Sequence, residues 1–310
     1  MTDTNPEFSV VIACYNEEQS IEEFHARLSA TLERLGRTSE IVFVNDGSTD
    51  ATYLKLEHIF ECDPRVAVII DLFNNSGQQA AITAGIVHTR GDKLVLLDSD
   101  LQLDPEELPL LVAESDNGYD AVGACRQNRD DPLSRLVASS VLNRIMRWAI
   151  GFPFRDLGCT FRVFDARLVR AFELGPHRVF QLCHTFRRVK RYTEVPVTHH
   201  PRKFGRSGWT PWNLLILLVD NLLGFFRRPF LILGLGSLLL ALISTAGFAA
   251  WWIAPVAIAP QRYLGLILFA VIINILVTLA IVSAVGEFMI RNYAILLRHP
   301  AYIIRTIRER

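Results

Sequence analysis

Cysteine is scarce in this 310-residue chain and unpatterned: Cys14, Cys62, Cys125, Cys159 and Cys183 are odd in number and show no metal-ligand spacing. That excludes a disulfide framework and a zinc centre as organising features, and points to free thiols in a reducing compartment. Net charge is also missing, with 32 Lys and Arg against 32 Asp and Glu, so no global field attracts nucleic acid. Met1 to Ser9 lacks the basic-then-apolar pattern of a signal peptide. No internal repeat or low-complexity linker divides the chain.

The sharpest absence is local. No Asp, Glu, Lys or Arg occurs from Pro229 to Gln261, and none from Tyr263 to Gly286. Each run exceeds the ~20 apolar residues that cross a bilayer core as a helix. Two spans are therefore expected, at about 229–253 and 263–286, joined by a short loop. Arg227 and Arg228 precede them, and Arg291, Arg298, Arg305, Arg308 and Arg310 follow, whereas the intervening loop holds only Arg262. The positive-inside rule then places both termini and the large N-terminal domain in the cytoplasm, on the inner face of the plasma membrane.

Trp212 to Phe226 is apolar apart from Asn213, Asp220, Asn221 and Gly224, and too short to span. With the aromatics Trp209, Trp212, Phe225 and Phe226 it reads as an interfacial amphipathic helix over 209–228. In the basic juxtamembrane tail, 287–310, Arg291, Arg298 and Arg305 recur every seven residues. A helix there would show basic and apolar faces to an anionic membrane surface, kinked or broken at Pro300.

Residues 1–208 carry the other kind of pattern. Short apolar runs at Phe8 to Ala13, Ile41 to Val44, Val66 to Ile70, Lys93 to Leu97 and Ala121 to Ala124 alternate with helix-like stretches at Glu17 to Leu35, Thr49 to Phe60, Gln78 to His88 and Pro105 to Asn117. Alternation of this kind predicts an α/β domain, a mostly parallel sheet with helices on both faces. Further on, Pro132 to Ile150 reads as helix and Thr193 to His199 as strand, followed by a basic loop from Arg202 to Gly208. In parallel sheets ligands bind beyond the carboxyl ends of the strands, where Tyr15-Asn16-Glu17, Asp46-Gly47-Ser48 and the pair Asp98 and Asp100 all fall.

That pair ends the run Lys93-Leu-Val-Leu-Leu-Asp98-Ser99-Asp100-Leu101-Gln102. Side-chain direction in a strand repeats every second residue, so the two carboxylates leave on one side. Carboxylates that close repel unless a cation lies between them, and Mg²⁺ or Mn²⁺ held by one or two carboxylates plus substrate phosphates fits. A helix-capping acidic turn would use similar residues, since Asp104-Pro105-Glu106-Glu107 has the composition of a helix start.

Four blocks, Val10-Val-Ile-Ala-Cys-Tyr15-Asn16-Glu17-Glu18, Val44-Asn-Asp46-Gly47-Ser48-Thr49-Asp50, Gly77-Gln78 to Ala84-Gly85, and Leu97-Asp98-Ser-Asp100-Leu101-Gln102, resemble in order and spacing the inverting family-two glycosyltransferases of the GT-A fold. Val122-Gly-Ala-Cys-Arg126-Gln-Asn-Arg129, Asp156-Leu-Gly-Cys-Thr-Phe-Arg162, Arg202 to Ser207, the two spans and Gly286-Glu287-Phe-Met-Ile-Arg291-Asn-Tyr293 narrow the resemblance. They are similar to polyprenyl-phosphate glycosyltransferases, the group of dolichyl-phosphate mannose synthases, bactoprenol glucosyltransferases and undecaprenyl-phosphate aminoarabinose transferases.

The resemblance implies transfer of one sugar from a nucleotide diphosphate, UDP in the bacterial branch or GDP for a mannose donor, to a polyisoprenyl phosphate. The product would be a lipid-linked sugar for cell-envelope glycan modification. Tyr15, Glu17, Asp46 and Asp98 would bind the nucleotide sugar, and Asp100 with Gln102 would ligate Mg²⁺ or Mn²⁺. Arg126, Arg135, Ser139 and Arg202 would grip the acceptor phosphate. Asp98, Asp100 and Asp156 form the catalytic set, although an Asp at a tight turn such as Asp156 also serves as a local cap. The family resemblance extends to a homo-oligomer, a tetramer. A lipid phosphate is already an anion, so it needs a positive cradle rather than a strong base, and Arg supplies planar phosphate recognition.

Departures include Ala13-Cys14 where the family usually has Pro, Asn74 where Arg is frequent, and Gly208-Trp209 in place of a Lys-Tyr pair. Two other readings compete. A processive polysaccharide synthase would carry a Gln-x-x-Arg-Trp motif and more spans, and a non-catalytic scaffold or sugar-nucleotide sensor would have a degenerate metal site. The sequence carries none of these features.

Overall fold

A computed structural model describes residues 5–127, 144, 154–186, 188–201, 236, 239, 240, 243, 246, 260–296 and 300–310. The chain divides into two compact units, Met1–Phe225 with His299–Arg310, and Phe226–Arg298.

In the first unit, β1 (Phe8–Cys14), β2 (Ser39–Asn45), β3 (Val66–Leu72), β4 (Lys93–Leu96), β5 (Ala121–Gln127), β6 (Arg162–Asp165), β7 (Tyr192–Thr198) and β8 (Ile304–Glu309) form one sheet of order β7-β5-β6-β4-β1-β2-β3-β8. The centre, β4-β1-β2-β3, is parallel. β6 pairs antiparallel with both β4 and β5, and β8 runs antiparallel to β3. Pro196 is tolerated in β7 because that strand is an edge.

Central strands are apolar on both sides, as a doubly covered parallel sheet requires. Phe8, Val10 and Ile12 pack under α1 (Ile21–Leu35), α2 (Thr52–Cys62) and α4 (Leu108–Asp116), while Val11, Val42 and Val44 face α3 (Gln78–Val87). In α1 the buried positions Ile21, Phe24, Leu28 and Leu32 follow the helical period, and Gly36 at φ 67° closes the helix by donating to Leu32 and Glu33 carbonyls. Helix α3 is built of Ala80, Ala81, Ala84 and Gly85, and a Cβ at Gly85 would lie 2.5 Å from Val11 Cγ1. Small residues let this helix lie against the sheet and bring its N-terminus to the strand ends. Short helices α5 (Ala166–Arg170) and α6 (Leu182–Phe186) complete the unit.

The second unit contains α7 (Pro260–Leu296), whose segment Leu266–Gly286 is long and apolar enough to cross a membrane and has no buried part. At 1.5 Å per residue those 21 residues extend roughly 31 Å, the thickness of a bilayer core. It falls on the second expected span. The first, 229–253, lies outside the described residues except for Gly236, Leu239, Leu240, Ile243 and Ala246, which are helical. The interfacial stretch 209–228 and the helix expected over Pro132 to Ile150 lie outside them too, apart from the helical Arg144.

The tail requires a correction. Arg305 and Arg308 do not lie on an amphipathic helix: α7 ends at Leu296, and from Ile304 the chain is the edge strand β8. The strand pairs antiparallel with β3, Ile307 opposite Ile70 and Thr306 opposite Asp71, a long-range pairing that the seven-residue spacing of arginines concealed.

Candidate active site

β1, β2 and β4 end at Cys14, Asn45 and Leu96 as neighbours in the sheet, with β1 linked onward to a strand on each side. Their loops therefore open at one crevice, at the point where strand order reverses.

The first two loops are stitched together. Asn16, at φ 55°, donates its backbone N–H to Ser48 Oγ at 2.9 Å and accepts from the Thr49 N–H through Oδ1 at 2.9 Å. Glu17 N–H donates to Thr52 Oγ1 at 2.8 Å, and Ala51 N–H donates to Glu18 Oε2 at 3.0 Å. The Glu17 carboxylate accepts from Ser20 Oγ. Tyr15, in the loop that follows β1, is 45% exposed. Asp46 is buried, and its two oxygens accept N–H bonds from Ser76 at 2.7 Å and Gly77 at 3.0 Å. Burial pushes its pKa above the usual carboxylate value, and those two N–H groups only partly offset the rise. Gly47, at φ 63°, runs against the backbone of Asn74 and Asn75, where a Cβ would collide. Asp46 thus shapes the loop before α3 from inside.

Asp98 and Asp100 lie in the turn beyond β4, which ends at Leu96, so their proximity comes from the turn rather than from strand alternation. Gln78 Nε2, at the start of α3, donates to Asp98 Oδ1 at 2.7 Å, and the Thr160 side chain hydrogen-bonds the same carboxylate. Burial, and then the neighbouring Asp100 charge, push the Asp98 carboxyl up to about 6. Asp100 Oδ1 accepts from the Gln102 N–H at 3.1 Å, across Leu101, a buried residue held at φ 57°. A branched, non-glycine residue in the left-handed region stores about 1–3 kcal/mol of strain, a feature concentrated at functional sites. Downstream, Gln102 O accepts from His200 N–H at 2.9 Å, and His200 Nε2 lies 2.7 Å from Oδ2 of Asp104, whose Oδ1 pairs with Arg27. The turn is fixed at both ends.

Its donor set suits a hard divalent cation. Asp98, raised in part by the Asp100 charge and bonded to the Gln78 amide, shares one turn with Asp100, and no group of three His, Cys, Asp or Glu side chains able to hold a metal occurs among the described residues. Protein oxygens alone leave the coordination incomplete, which is the pattern in which Mg²⁺ or Mn²⁺ takes its remaining ligands from phosphate and water.

Opposite lies the turn 154–161. Arg126, near the end of β5, forks onto Asp156: Nε donates to Oδ2 at 2.6 Å and Nη2 to Oδ1 at 2.8 Å, with the Arg126 N–H on Oδ2 at 3.3 Å. Asp156 is 4% exposed, so it is no simple turn cap: it receives a guanidinium from another strand. Glu194 Oε2 accepts the Arg155 N–H at 2.8 Å, and Glu194 Oε1 accepts from Tyr192 Oη at 2.7 Å. Arg162, 2% exposed, donates through Nε to Cys159 O at 2.8 Å and through Nη2 to Leu157 O at 2.7 Å and Asp156 O at 3.3 Å. Arg126 also offsets part of the Asp98 shift, so the two flanks share one electrostatic site. Burial pushes the Cys159 thiol up to about 12 and raises Cys14 as well, which makes both inert as nucleophiles.

Tyr15, Glu17, Asp46, Asp98, Asp100, Gln102, Arg126 and Asp156 are therefore gathered around one crevice. Arg135, Ser139 and Arg202 lie outside the described residues. Sequence reasoning gave no role to Gln78, Thr160, Asn45, Glu194 or Arg162. All but Glu194 stood inside the quoted motifs, and an amide at a helix start behind a glycine was the available signal for Gln78.

Residues 9–176 match the family described as Glycosyl transferase family 2. Proteins named undecaprenyl-phosphate 4-deoxy-4-formamido-L-arabinose transferase are 34% identical to the chain in Klebsiella pneumoniae subsp. pneumoniae, over 96% of this chain and 93% of the relative, and in Enterobacter sp., over 97% and 94%. Among solved structures, glucosyl-3-phosphoglycerate synthase from Mycobacterium tuberculosis in complex with Mn²⁺, UDP-glucose and phosphoglyceric acid aligns with TM-score 0.52 at 21% identity, over 72% of this chain and 80% of that one. A mycobacterial protein aligns with TM-score 0.54 at 19% identity, over 72% and 74%. At such identities the structural likeness shows the fold, the GT-A-like α/β arrangement.

Proposed function

The chain belongs to glycosyl transferase family 2, among its polyprenyl-phosphate glycosyltransferases, and from that premise we propose that it moves a single sugar from a UDP-sugar to undecaprenyl phosphate with inversion at the anomeric carbon. The observation that carries the reading is the Asp98-Ser99-Asp100-Leu101-Gln102 turn, clamped by Gln78, Thr160 and His200 and facing the Arg126–Asp156 fork.

Asp100 and Gln102 would hold Mg²⁺ or Mn²⁺, which when bound neutralises charge that develops on the departing diphosphate. Tyr15 and Glu17 flank the nucleoside, and Asp46 keeps the loop before α3 in place beneath it. Asp98, tied to Gln78, orients the donor. The acceptor phosphate is an anion at neutral pH and attacks the anomeric carbon in line without a strong base. Arg126, Arg135, Ser139 and Arg202 provide its cradle, with Asp156 fixing the first of them by its fork. Helix α7 and a second span at 229–253 would anchor the chain in the membrane, with the catalytic domain cytoplasmic.

The test is product analysis with purified full-length protein, undecaprenyl phosphate and a panel of UDP-sugars alongside GDP-mannose. One sugar per lipid, of opposite anomeric configuration to the donor, is expected with one UDP-sugar and Mg²⁺ or Mn²⁺. A chain of several sugars, retention of configuration, or full turnover in excess chelator overturns the reading.

A further inference from the structure

The strand that follows α7 reaches the donor loops by two legs that meet at one side chain. Arg305, on β8, lies with Nη1 3.3 Å from Asp71 Oδ2. Asp71 is buried at the end of β3 and accepts from Asn45 Nδ2 at 2.7 Å through its other oxygen. Asn45 Oδ1 takes the Ser48 N–H at 3.4 Å, and Ser48 Oγ takes the Asn16 N–H at 2.9 Å. This leg runs from the tail to the turn behind Tyr15. By the second leg, Arg305 Nη2 donates to Phe73 O at 2.8 Å and its guanidinium covers the Phe73 ring at 5.2 Å, while Phe73 N–H donates to Ile303 O at 2.8 Å. Phe73 immediately precedes Asn74 to Gly77, the loop that Asp46 holds from below.

We infer that Arg305 is a positioning residue for the donor site: the C-terminal strand fixes the Ser48 and Asn74–Gly77 loops through Asp71 and Phe73. Asp71 is a buried carboxylate whose countercharge is Arg305. Removing that charge leaves Asp71 to rearrange toward other donors, and the amide of Asn45 is the nearest group bonded to it. The other links of β8 end elsewhere. Arg308 pairs with Glu57 at 3.2 Å and Glu61 at 3.7 Å on α2, Glu309 lies 2.6 Å from His88, and Arg310 donates to carbonyls of Phe60 and Asp63. Arg308 thus offers an internal control, since it fastens the same strand without touching the loops. A strand that merely closed the sheet edge would treat the two arginines alike.

The role of these loops in donor binding rests on the function proposed above, whereas the relay does not. Hydrogen–deuterium exchange on the full chain in detergent tests the relay directly. Arg305→Gln should speed exchange in peptides covering Ser48 and Ser76–Gly77 about tenfold, and Arg308→Gln should leave them unchanged. Combining Arg305→Gln with Asp71→Asn removes the stranded charge and should restore much of the protection. Binding of UDP with Mn²⁺ by calorimetry is the second arm: Arg305→Gln should weaken it about tenfold and raise donor KM with little change in kcat. Unchanged exchange in Arg305→Gln, or equal loosening in Arg308→Gln, overturns the relay. Faster exchange with unaltered UDP affinity overturns the donor-positioning role. If the wild-type chain binds neither UDP nor GDP while Arg305→Gln still loosens these loops, the relay stands and the donor reading falls.

Discussion

In the loops that follow β1, β2 and β4, carboxylates are held by uncharged donors: Asp46 by the Ser76 and Gly77 amides, Glu18 by Ala51, Asp100 by Gln102, Asp98 by Gln78. On the β5 side, Arg126 is forked onto the Asp156 carboxylate, and Arg162 is sunk against three neutral carbonyls. The first arrangement leaves net negative charge at the strand ends, which calls for a cation and repays one with affinity. The second neutralises itself and holds a turn in shape. One crevice therefore has an electrostatically unfinished wall and a finished one, and substitutions should separate the two by what they cost: activity alone on the first wall, stability as well as transfer on the second.

The largest effect is expected from Asp100→Ala. Loss of the metal-facing carboxylate should lower kcat/KM on the order of 10³-fold, about 4 kcal/mol, with little net change in thermal stability, because removing a like-charge neighbour of Asp98 offsets the lost Gln102 N–H contact. Steady-state kinetics beside a melting curve measures both. A variant that keeps its activity, or that loses stability instead, breaks the distinction between the walls.

Arg126→Ala tests the other wall. It strands the nearly buried Asp156 carboxylate, and breaking such a pair should cost about 3 kcal/mol of stability. Arg126→Ala with Asp156→Asn should recover a large part of that loss, since the stranded charge is gone. The double variant is then the proper background in which to ask whether Arg126 also grips the acceptor phosphate: transfer should remain impaired while UDP binding is retained. Full recovery of transfer in the double variant assigns Arg126 to the fold alone.

The same division explains what the sequence disclosed. The β1–β4 half was legible because its strands are uniformly apolar and its polar residues fall at strand ends, so Asp46, Asp98 and Asp100 could be placed without coordinates. The short strand Arg162–Asp165 was not: two of its four residues are charged, and its state is set by pairing with β4 and β5 rather than by its own pattern. The Arg126–Asp156 fork was equally hidden, since it joins positions 30 residues apart. The tail misled for a different reason. Arginines seven apart satisfy a helical face, yet Arg305, Arg308 and Arg310 answer to Asp71, to Glu57 and Glu61, and to the end of α2, partners visible only once β8 pairs with β3.

A smaller effect follows pH. The Asp98 carboxyl, raised from 3.8 to about 6, binds its proton more tightly folded than unfolded. Stability of the metal-free chain should therefore fall as pH rises from about 4 to 6, and the penalty is complete above that window. Asp98→Asn should stabilise the chelator-treated protein by roughly 1–3 kcal/mol at pH 7.5, an advantage that shrinks as pH drops through 6 toward 4. Thermal unfolding across that range reads the difference. Asp156→Asn, on the finished wall, should give no such gain, because it releases Arg126 from its partner. A gain of equal size in both variants removes the electrostatic contrast.

The smallest expected effects come from two glycines that pose the same backbone problem in different places. Gly36 ends α1 at φ 67°, and Gly77 precedes α3 at φ 90°; a Cβ at either meets nothing within 4 Å, so Ala substitution adds conformational strain without a clash. Gly36→Ala should cost about 1 kcal/mol of stability, and Gly77→Ala about 1–3 kcal/mol because its backbone lies in a region that is almost exclusively glycine's. Their catalytic consequences should differ. Gly36 has its N–H on the α1 carbonyls, far along the chain from any strand end that opens on the crevice, whereas the Gly77 N–H is one of the two that Asp46 receives. Relaxing Gly77 toward negative φ turns that N–H away and leaves a buried carboxylate oxygen short of a donor, so the loop before α3 and Gln78 with it must shift. Gly77→Ala should then raise donor KM several-fold while Gly36→Ala leaves KM unchanged at comparable folded fraction. If both variants alter KM in proportion to their loss of stability, the Asp46 contact to this loop serves folding only, and the negative wall is smaller than the strand ends suggest.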